Sequence, residues 1–502
     1  MKILSTSQIR AWDQYTIENL PIASIDLMEK ASIKCVKWIQ NHYSSNKKYL
    51  IFVGIGNNAG DGIAIARFLK SSRLEVDVYS LLDIDKGSSD FKLQVQRARS
   101  EGITVHSFHE YSDFINSSSN DILIDAIFGT GLNRPIEGDL AIQIDKINAM
   151  KGIKIAIDVP SGISADFSFQ HQGVIKADHT LSFQVPKLAF LLPENDAFIG
   201  EWHILDIGLM PEYLKYIPLN TELLDPNDIR DVLKPRPKYA HKGTFGHGFL
   251  LGGNFGMVGA ILLASKAAIR MGAGLLTIST LPNVYTAFLS ELPEAMSLLS
   301  DSDTELTFSK IPFHKFTSIG IGPGLNTSNQ SLVLLKEVLQ NQQKGLVIDA
   351  DAINLLGANK DLLIQLPPET ILTPHVKEFD RLTHSHNTHE ERIGSARSFA
   401  IKYKCNLILK GAYTAVISSS GTCFFNATGN PGMATGGSGD VLLGMITGLL
   451  AQGISALDAA KFAVYVHGLA GDIAADKLGE HSLIPSDIIS HLPDAIRSFE
   501  IH

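Results

Sequence analysis

The sequence predicts two α/β domains in tandem, each a largely parallel sheet with helices on both faces, and three observations predict it. A chain of 502 residues exceeds one ordinary hydrophobic core, and its length alone suggests roughly two to four domains. Short β-branched runs alternate with longer amphipathic stretches in both halves, the pattern of strand–helix–strand units. Between about Met210 and Lys238 that alternation stops, and Pro211, Pro218, Pro226, Pro235 and Pro237 cluster without an apolar period. Such a stretch reads as an interdomain connection. The expected division is therefore 1–215, a linker over 216–229, and 230–502.

In the first half strands are expected at Tyr49–Gly54, Glu75–Leu81, Asp121–Ile127 and Ile153–Ile157. The near-continuous apolar runs Ile122-Leu123-Ile124 and Ile153–Ile157 suit strands buried on both faces. In the second half strands are expected at Phe249–Gly252, Leu275–Ser279, Ser318–Ile321, Leu346–Ile348 and Leu407–Leu409. Long helices are expected over Met257–Met271, Ser328–Gln340 and Gly439–Ala451. No internal repeat links the halves, and Ser117-Ser118-Ser119 is the only low-complexity tract.

Composition narrows the class. With 45% hydrophobic and 19% charged residues and a mean hydropathy of +0.10, the chain reads as soluble and globular. Its formal net charge of -9 offers no basic excess to displace counterions from nucleic acid. Anionic small molecules remain accessible to backbone amides. Cys35, Cys405 and Cys423 are far apart and in no ligand spacing, so a reducing cytoplasm is the expected setting. Neither a signal-peptide core nor a membrane-length apolar run is present. A homo-oligomer without membrane or nucleic-acid partners is expected.

Three strand-end loops carry the chemistry of the first half. Gly54-Ile55-Gly56-Asn57-Asn58-Ala59-Gly60-Asp61-Gly62 joins a strand to a helix, and its glycines permit a tight turn with amides aimed at an anion. Gly54-x-Gly56-x-x-Ala59 loosely matches a dinucleotide fingerprint, but Asn57, Asn58 and Asp61 are bulky where such turns keep small residues. Asp125 precedes Gly129-Thr130-Gly131-Leu132-Asn133-Arg134-Pro135, and Asp158 precedes Val159-Pro160-Ser161-Gly162. In a parallel sheet these loops share the carboxyl edge, where oxygens of Asn58, Asp125 and Ser161 can converge on a hard cation. Helix capping or turn formation would explain Asp125 or Asp158 singly, but not all three loops.

These three strings resemble the motifs of the NAD(P)H-hydrate epimerase domain, over roughly residues 1–215 and including Leu27-Met28-Glu29-Lys30-Ala31. The resemblance implies a Rossmann-like fold that interconverts the R and S epimers of hydrated NADH and NADPH. It implies potassium held by Asn58, Asp125 and Ser161, and substrate contacts from Asn57, Asn58, Ala59, Gly60, Asp61, from Gly129 to Pro135 (Gly129, Thr130, Gly131, Leu132, Asn133, Arg134, Pro135), and from Asp158. Ala59 stands where that family usually has Gly. Asp158 is the expected acid/base.

The second half contains Asn430-Pro431-Gly432-Met433-Ala434-Thr435-Gly436-Gly437-Ser438-Gly439-Asp440, followed by an apolar helix. Glycine amides ahead of a helix make an anion cradle, and Asp440 at its mouth suits deprotonation of a hydroxyl that attacks phosphorus. No Gly-x4-Gly-Lys-[Ser/Thr] loop occurs, which excludes a P-loop enzyme. His241–Gly248, Gly252-Gly253-Asn254, Gly320-Ile321-Gly322-Pro323-Gly324, Thr373-Pro374-His375 and Lys410-Gly411-Ala412-Tyr413-Thr414 are further strand-end segments suited to a nucleotide along a sheet edge. His384-Ser385-His386-Asn387-Thr388-His389 has the composition of a metal cluster but reads as a solvated loop.

These strings resemble the ribokinase-like ADP- or ATP-dependent NAD(P)H-hydrate dehydratase domain, over roughly residues 230–495. The resemblance implies that the S epimer is phosphorylated on its ring hydroxyl and then loses phosphate. Ala260, Gly322, His375 and Asp440 would contact the hydrated substrate; Lys410, Gly411, Ala412, Tyr413, Thr414 and Gly439 would contact ADP or ATP. Asp440 would be the base. Magnesium would accompany the nucleotide, with no ligand assignable from sequence. The competing reading is a ribokinase-like kinase for a vitamin precursor, with a nucleotide-binding regulatory domain in front.

Overall fold

A computed structural model describes residues 1–502 except 45, 114, 167–171, 219 and 500–502. The chain forms two compact units: Lys2–Leu219 with Thr388–Glu390, and Met1 with Asn220–Asn387 and Glu391–His502.

The first unit is built on strands β1 (Lys48–Val53), β2 (Glu75–Ser80), β3 (Val105–Ser107), β4 (Ile122–Ala126), β5 (Ile153–Ile157), β6 (His179–Phe183) and β7 (Glu201–Leu205). They form one sheet in the order β3-β2-β1-β4-β5-β6-β7, parallel throughout. Helices α1 (Thr6–Asn19), α2 (Ser24–His42), α3 (Asn57–Ser71), α4 (Ser89–Ser100) and α5 (Asp139–Ala149) accompany it. The strand period of two is visible in β1. Tyr49, Ile51 and Val53 join a core with Ile39 of α2, Ile63 of α3 and Val95 of α4. Leu50 and Phe52 join the opposite core with Ile144 and Ile147 of α5. Strand order reverses between β1 and β4, so the loops after these two strands open a crevice at the carboxyl edge, as in a Rossmann-like sheet.

The second unit contains β8 (Thr221–Leu223), β9 (His247–Leu251), β10 (Leu275–Thr280), β11 (Met296–Leu299), β12 (Ser318–Ile321), β13 (Leu346–Ile348), β14 (Ile371–Leu372), β15 (Asn406–Leu409), β16 (Ala415–Ile417) and β17 (Cys423–Phe425). Their order is β11-β10-β9-β12-β13-β14-β15-β16-β17-β8, with β16 antiparallel to both neighbours. The proline-rich stretch expected to be a linker over 216–229 therefore contains an edge strand: Thr221–Leu223 pairs with Cys423–Phe425. Three residues are too few to show a period, and the correction comes from the partner strand. Helices α6 (Val258–Arg270), α7 (Asn329–Asn341), α8 (Ala350–Ala358), α9 (Val376–Leu382), α10 (His389–Tyr403), α11 (Ser438–Ala451), α12 (Ala456–Leu478) and α13 (Pro485–Arg497) complete the set used below. No described helix is long and apolar enough to cross a membrane.

Helix α11 is hydrophobic on every side because it lies on β9, β12 and β13 and packs against α6 and α12. Glycines let it approach α6: a Cβ at Gly444 would stand 1.9 Å from the Ala264 carbonyl oxygen, and one at Gly448 2.5 Å from that of Ala268. Gly444→Ala gains about 1 kcal/mol of helix propensity. It must also push the α6 and α11 backbones apart, a strain of about 1–3 kcal/mol or more. The expected net result is a lower thermal midpoint, read by calorimetry.

All three cysteines are buried. Burial pushes the Cys405 and Cys423 thiols up to about 12, and raises Cys35 well above its ordinary value.

Candidate active sites

In the first unit Asn58, Asp125 and Ser161 come together around the Phe128 backbone. Asn58, in the first turn of α3, donates from Nδ2 to the carbonyls of Phe128 (2.8 Å) and Ile157 (3.1 Å). Those two acceptors fix the amide orientation and leave Oδ1 buried without a hydrogen-bond donor. Asp125 lies inside β4 rather than closing it. Its Oδ1 accepts from Ser161 Oγ (2.6 Å) and the Ile127 amide (3.1 Å), and its Oδ2 from the Ser161 amide (2.8 Å). Burial raises the Asp125 carboxyl to about 6, against the pull of these hydrogen bonds. An orphaned amide oxygen, a buried carboxylate and a hydroxyl form an all-oxygen donor set that fits a hard monovalent cation.

Asp158 follows β5 with a φ of 67°, a left-handed conformation rare for a residue with a side chain. Its carboxylate meets Lys187 Nζ at 3.0 Å, and that lysine side chain is 1% exposed. Lys187 also donates to the carbonyls of Phe183 (2.9 Å) and Val185 (3.1 Å), so its ammonium is fixed from three sides. Two further carboxyls feel Asp158. Asp13 of α1 is raised to about 7 by burial and then by Asp158. Asp61 of α3 is raised well above its ordinary value by burial, Asp158 and Asp13. One lysine balances one of three carboxyls, so the group retains a proton at neutral pH.

Two of the expected substrate-contact positions turn their side-chain direction inward. Ala59 is fully buried in the core of α2, α3 and α4, and a Cβ at Gly60 would meet Met28 Sδ at 2.8 Å. The Gly60 amide is already bonded to the Gly56 carbonyl (3.1 Å). Helix α3 turns Gly60 toward Met28 of α2 and Phe91 of α4, and the Ala59 methyl is accommodated in the same core. Asn57 faces solvent, while Asn58 and Asp61 are buried. In the second loop Gly129, Thr130 and Leu132 are half-buried, and Gly131, Asn133, Arg134 and Pro135 are exposed. Thr6 of α1 donates to the Thr130 carbonyl (3.3 Å) at this rim.

In the second unit Gly437 caps α11 at φ 101°, and a Cβ there would stand 2.7 Å from Leu263 Cδ1 of α6. Side chains other than hydrogen are excluded at this turn by conformation and space. The cradle is anchored from α12, where Asp472 accepts from the Gly429 amide and from Asn430 Nδ2, both at 2.9 Å. Ser438 Oγ lies 3.4 Å from His467 Nε2, and loss of solvent pushes that imidazole down to about 4, keeping it neutral. Asp440 sits in the first turn of α11 and is raised to about 6, by burial first and then by Asp349.

Lys410 is no solvated lysine. Its Nζ meets Asp349 Oδ1 at 2.8 Å, and a Cβ at Gly439 would stand 3.4 Å from the same Nζ. His375 bridges to Lys410 across the sheet edge, and its Nδ1 accepts from the Lys377 and Glu378 amides, which leaves Nε2 as the donor, 3.4 Å from Glu378 Oε1. Gly322, at φ 134°, has no room for a side chain against the Asp349 carbonyl at 1.9 Å. Gly411 and Thr414 close a tight turn through Thr414 Oγ1 to Gly411 O (3.0 Å), with Ala412 and Tyr413 at its tip. Ala260 lies one turn before Leu263 on α6. His375, Lys410, Gly439, Asp440 and Gly322 are thus brought together around Asp349, which sequence reasoning missed. Asp349-Ala350-Asp351 follows β13 as Asp158 follows β5, so the strand-end acid was the available signal. Lys187 and Asp13 carried no such signal.

The histidine-rich segment is corrected as well. The His386 side chain is 2% exposed, and its Nδ1 pairs with Asp380 (2.8 Å), which also receives Arg392 Nε (3.0 Å). His386 belongs to a structural hydrogen-bonded cluster with Asp380 and Arg392 rather than to a solvated loop.

Residues 24–189 match the family described as YjeF-related protein N-terminus, and residues 249–494 match NAD(P)H-hydrate dehydratase. The bifunctional NAD(P)H-hydrate repair enzyme of Moorella thermoacetica is 33% identical over 516 residues, covering 100% of this chain and 97% of that protein. Among solved structures, a ribokinase-like superfamily protein of Enterococcus faecalis is 31% identical, with a TM-score of 0.49, covering 56% of this chain and 96% of its own. The ADP/ATP-dependent NAD(P)H-hydrate dehydratase of Bacillus subtilis, co-crystallized with ATP and Mg2+, is 30% identical, with a TM-score of 0.48, covering 56% of this chain and 99% of its own. With both domains present in order and a full-length relative at this identity, the chain belongs to the family of bifunctional NAD(P)H-hydrate repair enzymes.

Proposed function

We propose that the first unit epimerises hydrated NADH and NADPH at the crevice between β1 and β4, and that the second dehydrates the S epimer at the expense of ADP or ATP around Asp440. The observation that carries this reading is the pairing of a proton-holding carboxyl group in one unit with a base beside a glycine cradle in the other. In the first site the carbinolamine hydroxyl takes a proton from the Asp13–Asp61–Asp158 group and leaves as water. Water returns to the opposite face and gives the proton back, with Lys187 Nζ holding the Asp158 carboxyl in place at 3.0 Å. Potassium fits Asn58 Oδ1, Asp125 and Ser161 and would supply fixed positive charge beside the substrate.

In the second site Asp440 takes the proton of the ring hydroxyl as its oxygen attacks the terminal phosphorus. The α11 amides stabilise the transferring charge, and Lys410 neutralises phosphate oxygens. Phosphate then leaves with the carbon–oxygen bonding pair, and loss of a proton from the neighbouring ring carbon restores the double bond. Asp349 and Asp351, whose charges both act on Asp440, would hold a magnesium ion carried by the nucleotide.

The test is conversion of an epimeric mixture of hydrated NADPH, followed by the absorbance of reduced nicotinamide and by free phosphate. Complete conversion is expected; a halt at the S fraction would remove the epimerase assignment, and a stable phosphoester would favour the vitamin-precursor kinase. Replacing potassium by choline should slow epimer exchange. In potassium the rate should fall toward the choline rate as the pH drops through about 6, where Asp125 takes up a proton and gives up its charge. A potassium effect independent of Asp125→Asn would remove the ligand assignment.

A further inference from the structure

At the far edge of the first sheet, away from the loops after β1, β4 and β5, three side chains share one face. His179 opens β6 and pairs in register with Glu201 of β7, and His203 lies two residues further along β7. The strand period of two therefore points all three the same way. His203 Nε2 lies 3.3 Å from His179 Nδ1, Glu201 Oε2 lies 3.7 Å from His179 Nδ1, and Glu201 Oε1 lies 3.8 Å from His203 Nε2. Among the described residues this is the one group of three such ligands whose donor atoms all lie within 4.8 Å of one another.

We propose that His179, Glu201 and His203 bind a divalent metal ion of the zinc type, with water in a fourth position, clipping the edge strand β7 to β6. The spacing suits it: zinc–nitrogen bonds of about 2.0–2.1 Å at tetrahedral angles separate two ligand nitrogens by about 3.3–3.4 Å. The two imidazoles already sit at that separation. Both rings are held. Trp38 of α2 lies 4.6 Å from the His203 ring and 5.3 Å from the His179 ring, centroid to centroid. His42 donates Nδ1 to the Trp38 carbonyl (2.8 Å) as an outer neighbour and is outside the ligand set. Glu201 is 70% exposed, so the ion has an entry path and the carboxylate can close the last distance without moving the backbone.

Zinc titrated into the untagged full chain by calorimetry should show one site, with its thermal midpoint raised. Copper(II), the stronger-binding probe, should quench Trp38 fluorescence with the same stoichiometry. His179→Ala and His203→Gln should each weaken zinc by at least about tenfold, and Glu201→Gln, an exposed change that leaves folding untouched, by less. Trp38→Phe should abolish most of the quench while keeping the calorimetric site. The chain holds 17 histidines, so the decisive quantity is the difference between wild type and variants. Equal zinc affinity in wild type, His203→Gln and Glu201→Gln, or a quench that survives in Trp38→Phe, overturns the proposal.

Discussion

Replacing Asp440 by Asn lowers dehydratase turnover by about 10²–10⁴-fold, the range that a positioned general base supplies, while epimer exchange by the same protein continues. The isosteric amide keeps the first turn of α11 and the anion cradle, so nucleotide binding should persist and the loss should fall on kcat rather than KM. The wild-type rate should fall on acidification with an apparent value near 6, because the fold raises this carboxyl from 3.8 to about 6. A raised carboxyl favours folding fully below its unfolded value, and that contribution is lost as pH rises through the folded value. At neutral pH Asp440→Asn should therefore be more stable than wild type, by about 1–2 kcal/mol after allowance for its partial exposure. An Asp440→Asn protein that releases phosphate at the wild-type rate would take the base away from this residue.

Asp158→Asn should abolish epimer exchange to a comparable degree, about 10²–10⁴-fold, but with the opposite effect on stability. Asparagine tolerates the left-handed backbone better than most residues, so the exchange adds no conformational strain. It does strip the counter-charge from Lys187, which is 1% exposed. Removing one partner of a buried pair costs about 3–5 kcal/mol, here reduced because two backbone carbonyls still hold the ammonium. Separation of the R and S forms by chromatography reads the exchange. The dehydratase rate of the same sample reports whether the second unit stays intact. Undiminished exchange would leave the proton cluster without its assigned centre.

The two predicted losses also show what the residues reveal before any coordinates. Long buried runs such as Ile153–Ile157 and the helix after Asp440 announced themselves, and α6 and α11 lie within one residue of expectation at each end. Strands β8, β14, β16 and β17, of two or three residues each, did not. Their conformation is decided by pairing, not by local preference. Glycine-flanked polar loops were legible because turn chemistry is local. Lys187 and Asp13 were not, because each matters through a partner distant in sequence. The inward facing of Ala59 and Gly60 was hidden for a related reason: a motif gives order along the chain, whereas the facing of α3 depends on what it packs against.

The burial of every cysteine has a practical corollary. A thiol that is covered and holds its proton reacts with an alkylating reagent only when its surroundings open, so labelling rate becomes a clock for local unfolding. Cys35 times α2 in the first unit, while Cys405 and Cys423 time the strand edge of the second. Mass spectrometry of the three labelled peptides would then give each unit its own opening rate within one unmodified chain, and would separate a variant that has lost a proton carrier from one that has lost its fold.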